Sequence, residues 1–224
     1  MENKKKTMVN IGCGPLGHPD WINFDYGILA FLHRYSWIEG IIFHLNLWPG
    51  SQKSITYDVQ WPKNLRLRNC SKPLPFQKNS VDYIFSSHFF EHVKKYEVIR
   101  VLKSCYNCLK PGGTIRISIP DLDFIVKQYQ QGSNRIERVD LINDHVYALG
   151  EQSINQPNLY EKFKSFFMRG HQWMYNFEYF KEMLIAAGFQ ADLIVRCEPR
   201  QGRVPNINML DCHEEESIFL EATK

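Results

Sequence analysis

The sequence has no uninterrupted apolar run long enough to span a bilayer. Its most apolar stretch, "GILAFLHRYSWIEGIIFHLNLW", is broken by His33, Arg34, Glu39 and His44, so no membrane span is expected. Charge of one sign is not concentrated either: 27 Lys and Arg against 24 Asp and Glu leave a net +3. That is too mild for the focused basic face that nucleic acid requires, and no nucleic-acid partner is expected. The run Lys4–Lys6 is short and read as solvated. "MENKKKTMVN" passes into a strand with no apolar leader segment, so a cytoplasmic location is expected. Without secretion, six cysteines are not a disulfide framework. Cys105-x-x-Cys108 has no second pair, which argues against a zinc ribbon and for a structural place in a helix. There is no internal repeat and no low-complexity tract, and residues 1–224 are read as one domain. What is abundant is aromatic: fifteen Phe, eleven Tyr and five Trp, mostly expected in a core.

The apolar pattern alternates strand and helix. "MVNIG" reads as a short buried strand, "WINFD" as a second, and "YGILAFLHRYSWIEGI" has helical spacing. "LRLRN" suggests a third strand, and "VDYIFSS" is rich in β-branched and aromatic residues. Val98, Val101, Leu102, Cys105 and Leu109 mark one face of a helix that stops at "KPGG". "TIRISIP" is the next strand, followed by a helix with Asp121 at its N-cap. "FEYFKEMLIAAGF" is an amphipathic helix ending at Gly188, and "ADLIVRC" and "ESIFLEA" close the chain as strands. Such alternation is the mark of a mostly parallel, doubly wound α/β sheet. Residues 132–175 break it. An aromatic-bearing insertion beside a sheet edge is expected to be a lid or substrate-binding element.

"GCGPLG" places Gly12, Gly14 and Gly17 in G-x-G-x-x-G spacing. By itself this is weak. A dinucleotide site needs a helix to begin at once and an acid about 20 residues on. Here Pro15 and Pro19 oppose the helix, and Asp25 comes too early. A cofactor without a pyrophosphate, such as S-adenosylmethionine, relaxes both demands. Gly12 and Gly14 allow close backbone approach, and Asp25 offers a carboxylate to ribose hydroxyls.

"VNIGCGP", "WINFD", "PLPFQKNSVDYIFSSHFFEHV", "VLKSCYNCLKPGGTIRISIPDLDFIVKQY" and "HQWMYNFEYFKEMLIAAGF" resemble, in order, the blocks of a class I S-adenosylmethionine-dependent methyltransferase, of the small bacterial type 11 group. The resemblance runs from residue 8 to about 189. It implies a Rossmann-like, seven-stranded, mostly parallel sheet with the last strand antiparallel, plus an inserted helical lid. It also implies S-adenosyl-L-methionine as cofactor, with Gly12, Cys13 and Gly14 at its methionine end, Asp25 at the ribose, Asn69 and Cys70 at the adenine, and Ser87 and His88 beside the sulfonium. Asn10 and Asn69 stand where the family often has acids. The first helix is expected to be nearly absent.

His88-x-x-Glu91-His92 has the spelling of an inverted zinc-peptidase motif. A peptidase needs both His on one helix, whereas here His88 ends a strand and His92 is expected in the following helix. No metal is expected. His88 and Glu91 are the candidate catalytic residues, His88 as general base or substrate contact, with helix capping or pocket shaping as its structural alternative, and Glu91, like His92, with fixing of the loop or packing by hydrogen bonds as its alternative. Asp121, His171, Trp173 and Tyr175 are candidate substrate contacts. Arg200 and Arg203 are read as a solvated loop, with contact to an anionic group as the alternative. The reading is methyl transfer to an O or N atom of a small-molecule or glycan-like acceptor. A non-catalytic cofactor-binding regulator and a nicotinamide oxidoreductase are the alternatives.

Overall fold

The computed structural model describes residues 5–44, 61–131, 138–139, 142–143 and 170–224, without the side chains of 39, 42 and 43. The strands are β1 (Met8–Ile11), β2 (Ile22–Asp25), β3 (Leu65–Leu67), β4 (Val81–Ser87), β5 (Leu109–Pro120), β6 (Ile194–Cys197) and β7 (Ser217–Thr223). They form one sheet in the order β3-β2-β1-β4-β5-β7-β6. β1 to β5 pair in parallel, with Val9 opposite Ile22 and Ile84. β7 runs antiparallel between β5 and β6. This is the expected Rossmann-like, mostly parallel seven-stranded sheet with the last strand reversed. Parallel pairing leaves the carboxyl ends of β1, β2 and β4 on one edge, where ligands of such sheets bind.

Among the described residues the helices are α1 (Ile28–Arg34), α2 (Ser36–His44), α3 (Lys95–Cys108), α4 (Leu122–Gln131), α5 (Phe177–Ala187) and α6 (Ile207–Leu210). The helical pattern of residues 26–41 is split at Tyr35, whose φ −118° and ψ 61° leave the helix. α3 lays Val98, Val101, Leu102 and Cys105 against the sheet, as its periodicity predicts. Cys105 and Cys108 are both buried there, and burial pushes the Cys108 thiol up to about 11. All six cysteines are free thiols. α5 begins at Asn176, whose side chain accepts from Tyr179 N at 3.0 Å. It ends at Gly188 in the left-handed region, φ +117°, where a Cβ would press on Tyr106 at 3.1 Å.

The two sheet faces differ. In β5, Ile115, Ile117 and Ile119 join the main core with α3 and α5. Arg116 and Ser118 point the other way, by the period-two rule of strands. On that second face Trp21, Phe85, Val204, Ile207 and Leu210 form a smaller cluster. Arg116 is fully buried there. Its Nε and Nη2 donate to both oxygens of Asp211 at 2.9 and 2.6 Å, and its Nη1 reaches Glu221 at 3.4 Å. Arg200 and Arg203, expected in a solvated loop, supply backbone N–H groups to Asp211 and Glu221. As expected, β1 is followed only by a single 3-10 turn, Gly14–Leu16, before β2.

The insertion expected over 132–175 lies outside the described residues as far as 169, apart from 138–139 and 142–143. Its last stretch, 170–175, is described. No helix among the described residues is long and apolar enough to cross a membrane.

Candidate functional site

The chain must turn sharply after β1, and two glycines make the turn. Gly12 has φ +66°, and a Cβ there would meet the Phe89 side chain at 2.7 Å. Gly14 has φ +50° and nothing within 4 Å of its would-be Cβ, so its backbone faces open space. Asp25 ends β2 directly opposite. Its Oδ2 accepts from Gly14 N at 2.7 Å and its Oδ1 from Tyr26 N at 2.6 Å. Burial holds the Asp25 carboxyl above its ordinary value, against the lowering effect of those two amides. A carboxylate offers about four acceptor sites, so two remain for a ligand.

At the end of β3, Asn69 Oδ1 accepts from both Ser71 N and Ser71 Oγ, at 3.0 and 2.7 Å. Its oxygen is thus committed to a local turn, and its amide N–H groups are what it can offer a ligand. Burial pushes the neighbouring Cys70 thiol up to about 12 and raises Cys13 as well. Neither is a thiolate near neutrality, so neither is a nucleophile.

β4 delivers Ser87 and His88. His88 sits at φ +48°, a left-handed conformation that costs a non-glycine residue on the order of 1–3 kcal/mol. Its N–H donates to Ser118 O at 2.9 Å, which holds the turn. The imidazole lies between two partners. Nδ1 is 3.1 Å from Glu91 Oε1, close but without hydrogen-bond alignment. Nε2 is 2.9 Å from Ser217 Oγ. Ser87 Oγ contacts Cys212 Sγ at 3.2 Å, and the His213 ring stands 4.5 Å from that of His88.

One cavity of about 740 Å³ joins these groups. Gly12, Cys13, Gly14, Asp25, Asn69, Cys70, Ser87 and His88 all line it. Asn10 lines it too, and its Oδ1 is buried without a hydrogen-bond partner. Tyr26, His92, Cys212 and His213 also line the wall, and sequence reasoning did not single them out for it. The adjacent "CH" of "DCHEE" is the only local signal for the last two.

Glu91 lies behind His88, fully buried. It does not line the cavity. His92, expected in the following helix, instead closes the 3-10 turn Phe90–His92; α3 begins only at Lys95. Glu91 O accepts from Gln172 N at 2.6 Å and Trp173 N at 3.3 Å, which brings the His171 ring to 4.9 Å from that of His92. Trp173 is half-exposed, with Lys95 Nζ 4.0 Å above its ring. Tyr175 is buried, and Asp121 caps α4 through Asp123 N at 3.0 Å while pairing with Arg196 at 3.0 Å. His171, Trp173, Tyr175 and Asp121 are not among the cavity-lining residues.

A family model described as a methyltransferase domain matches residues 26–117, less than half of the chain. No curated protein matches the chain. The chain is similar to solved structures at low identity. One is a provisionally named O-methyltransferase from Nostoc punctiforme PCC 73102 (13% identity, 100% of this chain and 53% of that one, TM-score 0.46). Another is a SAM-dependent methyltransferase from Archaeoglobus fulgidus (14% identity, 99% and 87%, TM-score 0.48). A third is an S-adenosylmethionine-dependent methyltransferase from Mesorhizobium loti (15% identity, 100% and 93%, TM-score 0.48). The chain thus spans about half the length of the Nostoc protein.

Proposed function

We propose that this chain, of which residues 26–117 match a methyltransferase domain, is a class I S-adenosylmethionine-dependent methyltransferase that methylates an O or N atom of a small-molecule or glycan-like acceptor, with His88 receiving the acceptor's proton. The cavity suits the cofactor. Asn10 Oδ1 is a buried acceptor in need of a donor, which the cofactor's ammonium group would provide. Gly14 presents backbone to open space, and Asp25 keeps acceptor capacity for ribose hydroxyls. When bound, S-adenosyl-L-methionine supplies an electrophilic methyl group on a sulfonium.

The chain's own residues do the rest. Gly12, Cys13 and Gly14 position the amino-acid end, and Asp25 the ribose. Asn69 offers its amide N–H groups, and Cys70 its backbone, toward the base. The buried Glu91 stands behind His88 with Oε1 3.1 Å from Nδ1, and an acceptor hydroxyl or amine takes the place of Ser217 Oγ at Nε2. Oxygen and nitrogen acceptors must lose a proton as they are methylated, which an oriented imidazole removes. The observation that carries this reading is the carboxylate-backed imidazole in the wall of the cofactor cavity.

A second reading, a cofactor-binding protein without turnover, draws on Asn10 and on the commitment of Asn69 Oδ1 to Ser71. The test is S-adenosylhomocysteine release with a panel of hydroxyl and amine acceptors, run alongside calorimetry. Turnover that falls in His88→Ala while cofactor binding is kept supports the first reading. Binding without turnover on any acceptor supports the second.

A further inference from the structure

The spelling His88-x-x-Glu91-His92 suggests a pair of histidine ligands that the fold does not bring together. The His88 ring is engaged by Ser217 and Glu91. The imidazole that joins Glu91 and His92 comes instead from His171, far along the chain. Glu91, His92 and His171 offer ligand atoms that all lie within 4.8 Å of one another. We propose that these three side chains form a site for one first-row divalent metal ion of the zinc class.

The backbone preorganises the group. Glu91 and His92 share one tight turn, Phe90–His92. His171 is held to it because the next two residues donate N–H bonds to Glu91 O. An orphaned polar group points to a ligand. Glu91 is fully buried, and its Oε2 has no hydrogen-bond partner. A cation would compensate the carboxylate.

The donor set selects the ion. Two imidazoles and one carboxylate suit zinc, iron, cobalt or nickel rather than calcium or magnesium, which prefer oxygen. Across a tetrahedral ion with bonds of about 2.0–2.1 Å, ligand atoms stand roughly 3.3 Å apart. The side chains therefore close by about 1 Å or a little more, a movement on the scale of side-chain torsions. Three protein ligands leave a position open, as in catalytic rather than structural zinc sites. His92 also lines the cofactor cavity, so an ion held here stands at its wall. There it would polarise an acceptor hydroxyl and ease its deprotonation. That use rests on the methyltransferase reading; the site itself does not.

The experiment is titration of the chelator-stripped full chain with Co(II), then Zn(II) in competition, followed by the visible ligand-field bands of cobalt and without any cofactor. One Co(II) per chain is expected, displaced by Zn(II). His92→Gln and His171→Gln should each weaken it by more than the roughly 10–100-fold that losing an outer-shell partner costs. The exposed His44→Ala should leave it unchanged. Proton NMR of the cobalt form should show two strongly shifted exchangeable imidazole N–H signals, a readout that needs no variant. Absence of cobalt binding, equal binding by His171→Gln, or fewer than two such signals overturns the proposal. S-adenosylhomocysteine binding measured on the same samples reports separately on the cofactor reading.

Discussion

Asp25→Ala should act in two ways at once, because one carboxylate serves the loop and the ligand. In the folded chain it accepts from Gly14 N at 2.7 Å and Tyr26 N at 2.6 Å. Removing it frees two amides. Each buried donor left unsatisfied costs about 1–3 kcal/mol, but both adjoin an open cavity from which water can partner them. Removal also relieves the burial of a charge, which already holds this carboxyl above its ordinary value. The net loss of stability should be about 1–2 kcal/mol, or roughly 2–8 °C in melting temperature for a chain of this size. Cofactor binding loses more. A charge-assisted bond to ribose is worth about 1.5–3 kcal/mol, roughly ten- to hundredfold in affinity. The sign of the pH effect follows from the raised pKa. Between the ordinary 3.8 and its folded value, the folded chain holds more protons at Asp25 than the unfolded one. Its contribution to stability therefore falls as pH rises through that window. Cofactor affinity does the reverse, since ribose needs the ionised form. The assays are thermal melting and S-adenosylhomocysteine calorimetry across acidic pH, for wild type and variant. Wild-type affinity in Asp25→Ala, or an identical acid profile in the two proteins, would refute the assignment.

Gly12→Ala combines a left-handed φ with a Cβ 2.7 Å from Phe89; it should cost at least about 2 kcal/mol in urea unfolding, together with cofactor binding, and a neutral result would mean that the turn is not as described. Asp211→Ala leaves Arg116 buried with its bidentate partner gone; a loss of about 3–5 kcal/mol is expected in the same assay, and a loss under about 1 kcal/mol would show that the arginine finds water instead. Glu91→Gln should keep cofactor affinity within a few-fold while lowering kcat and shifting the pH–rate profile, because the positioning of His88 weakens; an unchanged profile would remove Glu91 from that role.

Much of the fold was legible because its signals are local. β4 and β5 announce themselves by β-branched and aromatic runs, α3 by its Val98–Leu102–Cys105 face, and α5 by its amphipathic spacing and Gly188 at its end. The weak first helix could be read from Pro15 and Pro19. The break at Tyr35 carries no glycine or proline, and periodicity ran through it. His92 was misplaced because a 3-10 turn and the first turn of a helix share the same spacing. The glycines and Asp25 of the cavity follow a local loop logic. Long-range meetings did not show: Arg116 with Asp211, His88 with Ser217 and His213, and Glu91 with the backbone after His171. Each depends on which strands become neighbours, and no spacing in one sequence encodes that.

The central claim is that the cavity between Gly12, Asp25 and His88 takes a sulfonium nucleoside and not a dinucleotide. Calorimetric titration of the purified chain with S-adenosylhomocysteine and, separately, with NAD tests it most directly. The account predicts saturable one-site binding of S-adenosylhomocysteine and none of NAD; binding of NAD with no response to S-adenosylhomocysteine would contradict it.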